Sequence, residues 1–290
     1  GPGAWARKIL RRVIANVVSG LLITQFPSRR NCHRGVIGYL RDRSMTYQPY
    51  HIEGADRPAR WLITCDHAAN TVPEAVHGGH LGVAAEDMAR HIAYDIGAAG
   101  LASHLAAHLN APAIFANFSR LVIDPNRGED DPTLLMKLYD GTIIPGNRDA
   151  GEVERERRLT LCYWPYHDAL ARMAARQDDT VIVSVHSFTR QFRGRPPRPR
   201  HVGVLYATDA RLTRPLITRL KAEEDLCIGE NEPYTGALAG DAIDRHGIAH
   251  GRANVLIELR NDLIETADDQ AAWSKRLAPI LEAAAEDGGV

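Results

Sequence analysis

His67, His186 and Glu258 have the residue types that metal-assisted hydrolysis needs, and each stands in or at the end of an apolar run. His67 follows Leu62 to Cys65, and His186 closes Val181-Ile182-Val183-Ser184-Val185, a β-branched run that reads as a central buried strand. Two imidazoles at one edge of one sheet could share a divalent metal, although a lone histidine at either place is more often a satisfied core residue. Glu258 lies inside Val255-Leu256-Ile257-Glu258-Leu259. A carboxylate is costly there unless it meets a cation, a hydrogen-bond donor or a metal-activated water.

A second constellation, Arg120, Asp124, Asn126 and Arg127, falls in SRLVIDPNR. A planar guanidinium at a strand rim suits a bidentate grip on a carboxylate, and the same spacing also permits an internal ion pair from Arg127 to Asp124 or Glu129. Pro125 forces Asp124 into an extended conformation.

The elements that must position these side chains follow from the hydrophobic pattern. Apolar runs predict strands over 60–65, 113–116, 121–123, 181–186, 201–206 and 254–259, and amphipathic spacing predicts helices over 86–108, 152–176, 211–224 and 268–286. This alternation is that of an α/β sheet with helices on its faces, whose strand exits carry the chemistry. Leu159, Tyr163, Tyr166, Leu170 and Met173 recur at helical spacing and read as core. RGRPPRPR, residues 193–200, reads as a solvated basic loop.

Composition bounds the remainder. The chain has 290 residues and is 44% hydrophobic, enough for a sizeable core. Residues 1–44 hold nine Lys or Arg against one acidic residue, leaving 26 basic and 35 acidic side chains in the body. A body with that acidic excess argues against phosphate-driven nucleic-acid binding. Residues 4–23 read as a basic amphipathic helix of the transit-peptide or membrane-surface kind, and the catalytic domain is expected over 45–290, beyond a basic N-terminal extension. Cys32, Cys65, Cys162 and Cys227 form no CxxC pair, which points to a reducing, cytoplasmic setting and away from a zinc knuckle. No apolar run reaches membrane-spanning length.

Six motifs then stand in order: CDHAANTVP (65–73), HIAYDIGA (91–98), SRLVIDPNR (119–127), SVHSFT (184–189), NEPY (231–234) and IELRNDLI (257–264). Together they resemble the ordered motifs of the N-formylglutamate amidohydrolase family, and they span essentially the whole body. The resemblance implies a three-layer αβα, phosphorylase/hydrolase-like fold with a mixed central sheet, related to the zinc carboxypeptidases. It implies one zinc per chain and a zinc-activated water that cleaves the amide of a small N-acyl amino acid such as N-formylglutamate.

In that frame His67 and His186 match the metal-site histidines. The carboxypeptidase pattern would place a glutamate three residues after the first histidine, where this chain has Asn70. Asp95 is the preferred third ligand, with Asp66 and Glu74 as alternatives, and a helix-face pairing of Asp95 with Arg90 or His91 as the structural reading. Glu258 would move the proton from water to the departing amine. Asn126 and Arg127 resemble a carboxylate-gripping pair, with Arg127 also the cation near the reacting carbonyl, and Arg120 and Arg260 are further rim candidates. Asn231 and Tyr234 are expected on a loop over the pocket, and His246 is either a contact to the site or a structural residue. Two other classes stay open: an amidase using Cys65 as nucleophile, and a non-catalytic binding protein on the same fold.

Overall fold

The structure, a computed structural model, describes residues 47–290; the expected extension over 1–44 lies outside the described residues. Strands β1 (Tyr50–Glu53), β2 (Trp61–Cys65), β3 (Ala113–Ala116), β4 (Leu138–Tyr139), β5 (Thr142–Ile143), β6 (Val181–Phe188), β7 (Val202–Leu205), β8 (Ile228–Glu230) and β9 (Asn254–Arg260) follow one another along the chain. Seven form one sheet in the order β1-β3-β2-β6-β9-β7-β8, while β4 and β5 make a separate hairpin.

At the centre β3, β2, β6 and β9 run parallel, so the C-terminal ends of β2, β6 and β9 emerge side by side. β1 is antiparallel to β3, and β7 is antiparallel to β9. That reversal keeps the 189–201 connection at the same edge as the ends of β6 and β9.

Every residue of β2 and β6 is buried, because helices cover both faces and neither strand needs a polar side. Successive side chains alternate between faces. Ile63, Cys65, Val183, Val185, Val255 and Ile257 pack with apolar residues of the Ala98–His108, Thr213–Lys221 and Ala267–Gly288 helices. Leu62, Ile182 and Leu256 pack in the opposite layer with Leu159, Tyr163, Tyr166 and Leu170. The architecture is the three-layer αβα fold with a mixed sheet that the sequence predicts.

Local differences have physical reasons. The expected strand over 121–123 is a turn: Leu121, Val122 and Ile123 are buried but pack in the second layer, with Val122 N–H donating to Ser119 O at 2.9 Å. The expected helix over 86–108 is broken into Ala85–Met88 and Ala98–His108. Gly97, at φ 79°, makes the turn between them, and a Cβ there would sit 2.2 Å from the Ile264 carbonyl oxygen. Asp95 is therefore held on a loop, and not on a helix face. The helix over 152–176 is continuous but passes through a π-helical segment, Leu159–Tyr163, between Glu152–Arg158 and Trp164–Ala174.

Candidate metal centre and its cavity

His67 lies two residues past the end of β2, while His186 in β6 and Glu258 in β9 are register partners near the same edge. Asp95 joins them from its loop, which is tied down by a hydrogen bond from Asp95 N to the His67 carbonyl at 2.9 Å. One ligand atom from each of His67, Asp95 and His186 lies within 4.8 Å of the others, and all three residues are buried. Asp95 Oδ2 is 3.3 Å from His67 Nδ1 and 2.9 Å from His186 Nδ1, and it also accepts from Ser187 N–H at 3.2 Å.

The far side of each ring is occupied. His67 Nε2 is 2.7 Å from Asp124 Oδ1, and His186 Nε2 is 3.0 Å from Ser184 Oγ and 3.3 Å from Asp66 Oδ2. A partner on one ring nitrogen fixes which way the other nitrogen faces, and here the Nδ1 atoms face the same carboxylate. Two imidazole nitrogens and one carboxylate oxygen, oriented in this way, suit a divalent transition metal.

The charges point the same way. Asp66, Asp95, Asp124 and Glu258 surround two imidazoles and Arg120, whose guanidinium reaches Asp124 Oδ2 at 2.8 Å and Asp95 Oδ1 at 3.4 Å. Burial opposes ionisation of Asp95 and Asp124, yet both are held below the ordinary carboxylate range, Asp95 by His67 and His186, and Asp124 by Arg120 and His67. Burial also opposes a charge on His186, but its hydrogen bonds to Asp66 and Asp95 outweigh that and raise it to about 10. The cluster thus recruits positive charge, and metal binding would displace that proton. Glu258 lacks such a partner: its Oε2 is buried with no hydrogen bond, and burial pushes its pKa up to about 7.

His67, Asp95, His186 and Glu258 line a cavity of about 470 Å³, together with Arg120, Asn126, Arg127, Tyr139, Phe188, Leu205, Tyr234, Asp241 and Leu256 among others. A model of the N-formylglutamate amidohydrolase family matches residues 59–265. The chain belongs to the N-formylglutamate amidohydrolase family. Gene product Atu2144 from Agrobacterium tumefaciens, a solved structure, is 31% identical, with a TM-score of 0.78 over 83% of this chain and 96% of that one. The N-formylglutamate amidohydrolase from Ralstonia eutropha JMP134 has the same fold at 20% identity, with a TM-score of 0.59 over 81% of this chain and 98% of that one. No curated sequence matches this chain.

Among the other residues singled out in the sequence of this N-formylglutamate amidohydrolase family member, Asn126, Arg127 and Tyr234 line the cavity. Arg127 donates to Thr133 Oγ1 at 3.1 Å and to the Asn126 carbonyl at 2.8 Å, and it forms no ion pair among the described residues. Arg120 also lines the cavity, but two carboxylates occupy it. Tyr234 accepts a hydrogen bond from Arg198 at 3.0 Å, and Arg198 stacks on Phe192 with its guanidinium carbon 4.0 Å from the ring centroid.

Three expected contacts lie elsewhere. Asn231, at φ 50°, builds a turn by accepting from Tyr206 N and Gly236 N. Arg260 is paired with Asp262 at 2.7 Å, and His246 is buried against His167, with nitrogens 2.9 Å apart. None of the three lines the cavity. Cys65 packs in the helix-covered layer, where burial pushes its thiol well above the usual range, so it is placed as an inert core thiol.

The sequence reading overlooked the back of the site. Tyr166, read as core, donates its hydroxyl to Asp66 Oδ1 at 2.5 Å, and Tyr163 donates to the Arg127 carbonyl at 2.6 Å. Both project from the helix that contains the π-helical segment, a feature that often accompanies functional sites. The paired signal was present in the sequence: Tyr residues, which bring hydroxyls, on the apolar stripe of a helix facing the sheet.

Proposed function

We propose that the protein is a metal-dependent amidohydrolase that cleaves the amide bond of a small N-acyl amino acid, of which N-formylglutamate is the family's namesake. The observation that carries the reading is a buried His67-Asp95-His186 donor set in the same cavity as a carboxylate, Glu258, that has an unpartnered oxygen. His67, Asp95 and His186 would hold the metal, with zinc as the expected ion. When bound there, such an ion supplies Lewis acidity that lowers the pKa of water and polarises a carbonyl.

The chain's own residues do the remainder. Glu258 accepts the proton of the attacking water through its free oxygen, and the water oxygen forms a bond to the amide carbon. The C–N bond then breaks as Glu258 returns that proton to the nitrogen, leaving a free amine and a carboxylic acid that ionises at neutral pH. Arg127, unpaired with any acid, takes the substrate carboxylate beside Asn126 and brings positive charge to the reacting centre. Arg120 acts by positioning Asp95 and Asp124. Tyr234 covers the mouth of the cavity.

The test is metal content by elemental analysis of untagged wild type and His186→Ala, with formate release from N-formyl amino acids assayed before and after chelation. Roughly one ion per chain in wild type, lost in the variant, and hydrolysis abolished by chelator would support the reading. Hydrolysis that survives complete metal removal would overturn it.

A further inference from the structure

Leu256 precedes Glu258 by two residues on β9, so both side chains leave the same face, with Leu256 further from the strand's C-terminal end. Leu256 is in register with Leu205 on β7, and both are buried and line the cavity. Asp241 joins this apolar wall. It is 4% exposed, and its Oδ1 accepts from Asp244 N–H at 2.7 Å, which caps the Ala242–His246 helix. Its Oδ2 has no hydrogen-bond partner, and Asp241 forms no ion pair among the described residues.

Capping alone does not require an aspartate here. Ser, Thr or Asn would supply the same acceptor without bringing a charge into an apolar wall. Burial accordingly pushes the Asp241 carboxyl up to about 7.

A charge inventory of the cavity gives the unpaired carboxylate a meaning. Arg120 is taken by Asp124 and Asp95. His91 is neutral at pH 7, since burial lowers it to about 4 despite Asp140 beside it. Asp131, nearer the surface, spends Oδ1 on the amide and hydroxyl of Thr133. Away from the metal cluster this leaves, among the described lining residues, one cation without an ion pair, Arg127, and one buried carboxyl without one, Asp241, whose ionised form a bound cation would favour. The segments that carry them are tied together, because Asn126, next to Arg127, accepts at Oδ1 from Ala242 N–H, next to Asp241, at 3.2 Å.

A ligand with a carboxylate at one end and a cation at the other matches this pair. The second carboxylate of a glutamate side chain would meet Asp241 and an apolar wall. Resting on the amidohydrolase reading above, we propose that Asp241 is a specificity-determining residue that selects N-acyl amino acids with a cationic side chain, of arginine or lysine type, over N-formylglutamate.

The test compares kcat/KM for N-formyl-L-arginine, N-formyl-L-leucine and N-formyl-L-glutamate in wild type and Asp241→Asn. Asparagine preserves the helix cap while removing the charge. Wild type is expected to prefer arginine over leucine and leucine over glutamate, and the arginine-to-leucine ratio should fall roughly tenfold or more in the variant, as loss of a charge-assisted hydrogen bond predicts. Calorimetric titration with free L-arginine gives a readout that does not depend on turnover, with binding weakened in the variant. Preference for glutamate, an unchanged ratio, or arginine binding that is absent or unaffected by the substitution would each overturn the proposal and leave Asp241 as a cap. Hydrolysis of none of the three, with arginine binding present and lost in the variant, would sink the amidohydrolase reading while Asp241 kept its role.

Discussion

Asp124 shows how much of the site depends on residues that touch no reacting atom. It accepts from His67 Nε2 on one oxygen and from Arg120 on the other, so it sets the imidazole's orientation and is itself held in place. Asp124→Asn is therefore expected to weaken metal affinity about 10–100-fold, measured by competition with a chromogenic chelator, while the fold persists. Asp241 leads to a pH prediction of defined sign. Its folded pKa is about 7, against about 4 in an unfolded chain. Between those values the folded state keeps a proton that the unfolded state has released, so Asp241 makes stability fall as pH rises through that window. Burial pushes the carboxyl up, helped by the charges of Asp66 and Asp244, while the hydrogen bond from Asp244 N–H and the nearby His186 pull it down. Asp241→Asn should be more stable than wild type in urea at about pH 8, with the gap closing near pH 4. Equal midpoints at both pH values would refute this. At this scale the sequence pointed to His67, His186 and Glu258 through their place in apolar runs, whereas Asp124, singled out there as a possible partner of Arg127, gave no sign of its contact with a histidine 57 residues away.

Elements were legible where the pattern reports burial and illegible where it reports packing without pairing. The β-branched run of β6 reads as a strand because a strand covered on both faces has no polar alternation to keep. Residues 121–123 carry the same apolar signal and are equally buried, yet no neighbouring strand pairs with them. The short strand β8 gave no signal, since three residues are too few to establish a period. One element-scale feature shapes the cavity directly. Gly203 on β7 lies beside Gly229 on β8, and an added Cβ would come within 2.4 Å and 2.6 Å of the Glu232 carbonyl oxygen, respectively. The bare backbone lets the segment leading to Tyr234 lie flat on the sheet next to Glu258. Gly203→Ala must lift that segment, since its obstacle is backbone and not a flexible side-chain tip. The expected result is a raised KM with little change in metal content, measured by steady-state kinetics and elemental analysis. An unchanged KM would show that the segment adjusts without cost to the cavity.

For the molecule as a whole, the candidate metal centre joins parts that are far apart in the chain. His67 follows β2, Asp95 comes from the loop before the Ala98–His108 helix, and His186 comes from β6. An ion bound by all three ties these segments together only in the folded state. Saturating metal should therefore raise the unfolding free energy, by about 4 kcal/mol at a thousandfold excess over Kd, and chelation should lower the Tm reversibly. A Tm indifferent to both would argue that the cluster binds no ion. No helix among the described residues is long and apolar enough to cross a membrane.

The reversal of β7 against β9 has a consequence for how such an enzyme can diversify. A parallel β7 would have required the chain to travel back across the sheet, usually as a helix packed into the core, before it could start again. Because β7 runs the other way, residues 189–201 leave β6 and enter β7 without leaving the edge where Glu258 sits. That stretch can lengthen, shorten or change its charges with no buried helix to repack. Arg198, stacked on Phe192 and bonded to Tyr234, shows it reaching a residue that lines the cavity. Substrate range can thus be revised in a surface segment while the residues of the fold and of the candidate metal centre stay constant, and chimaeras exchanging this segment between relatives are the natural way to follow that history.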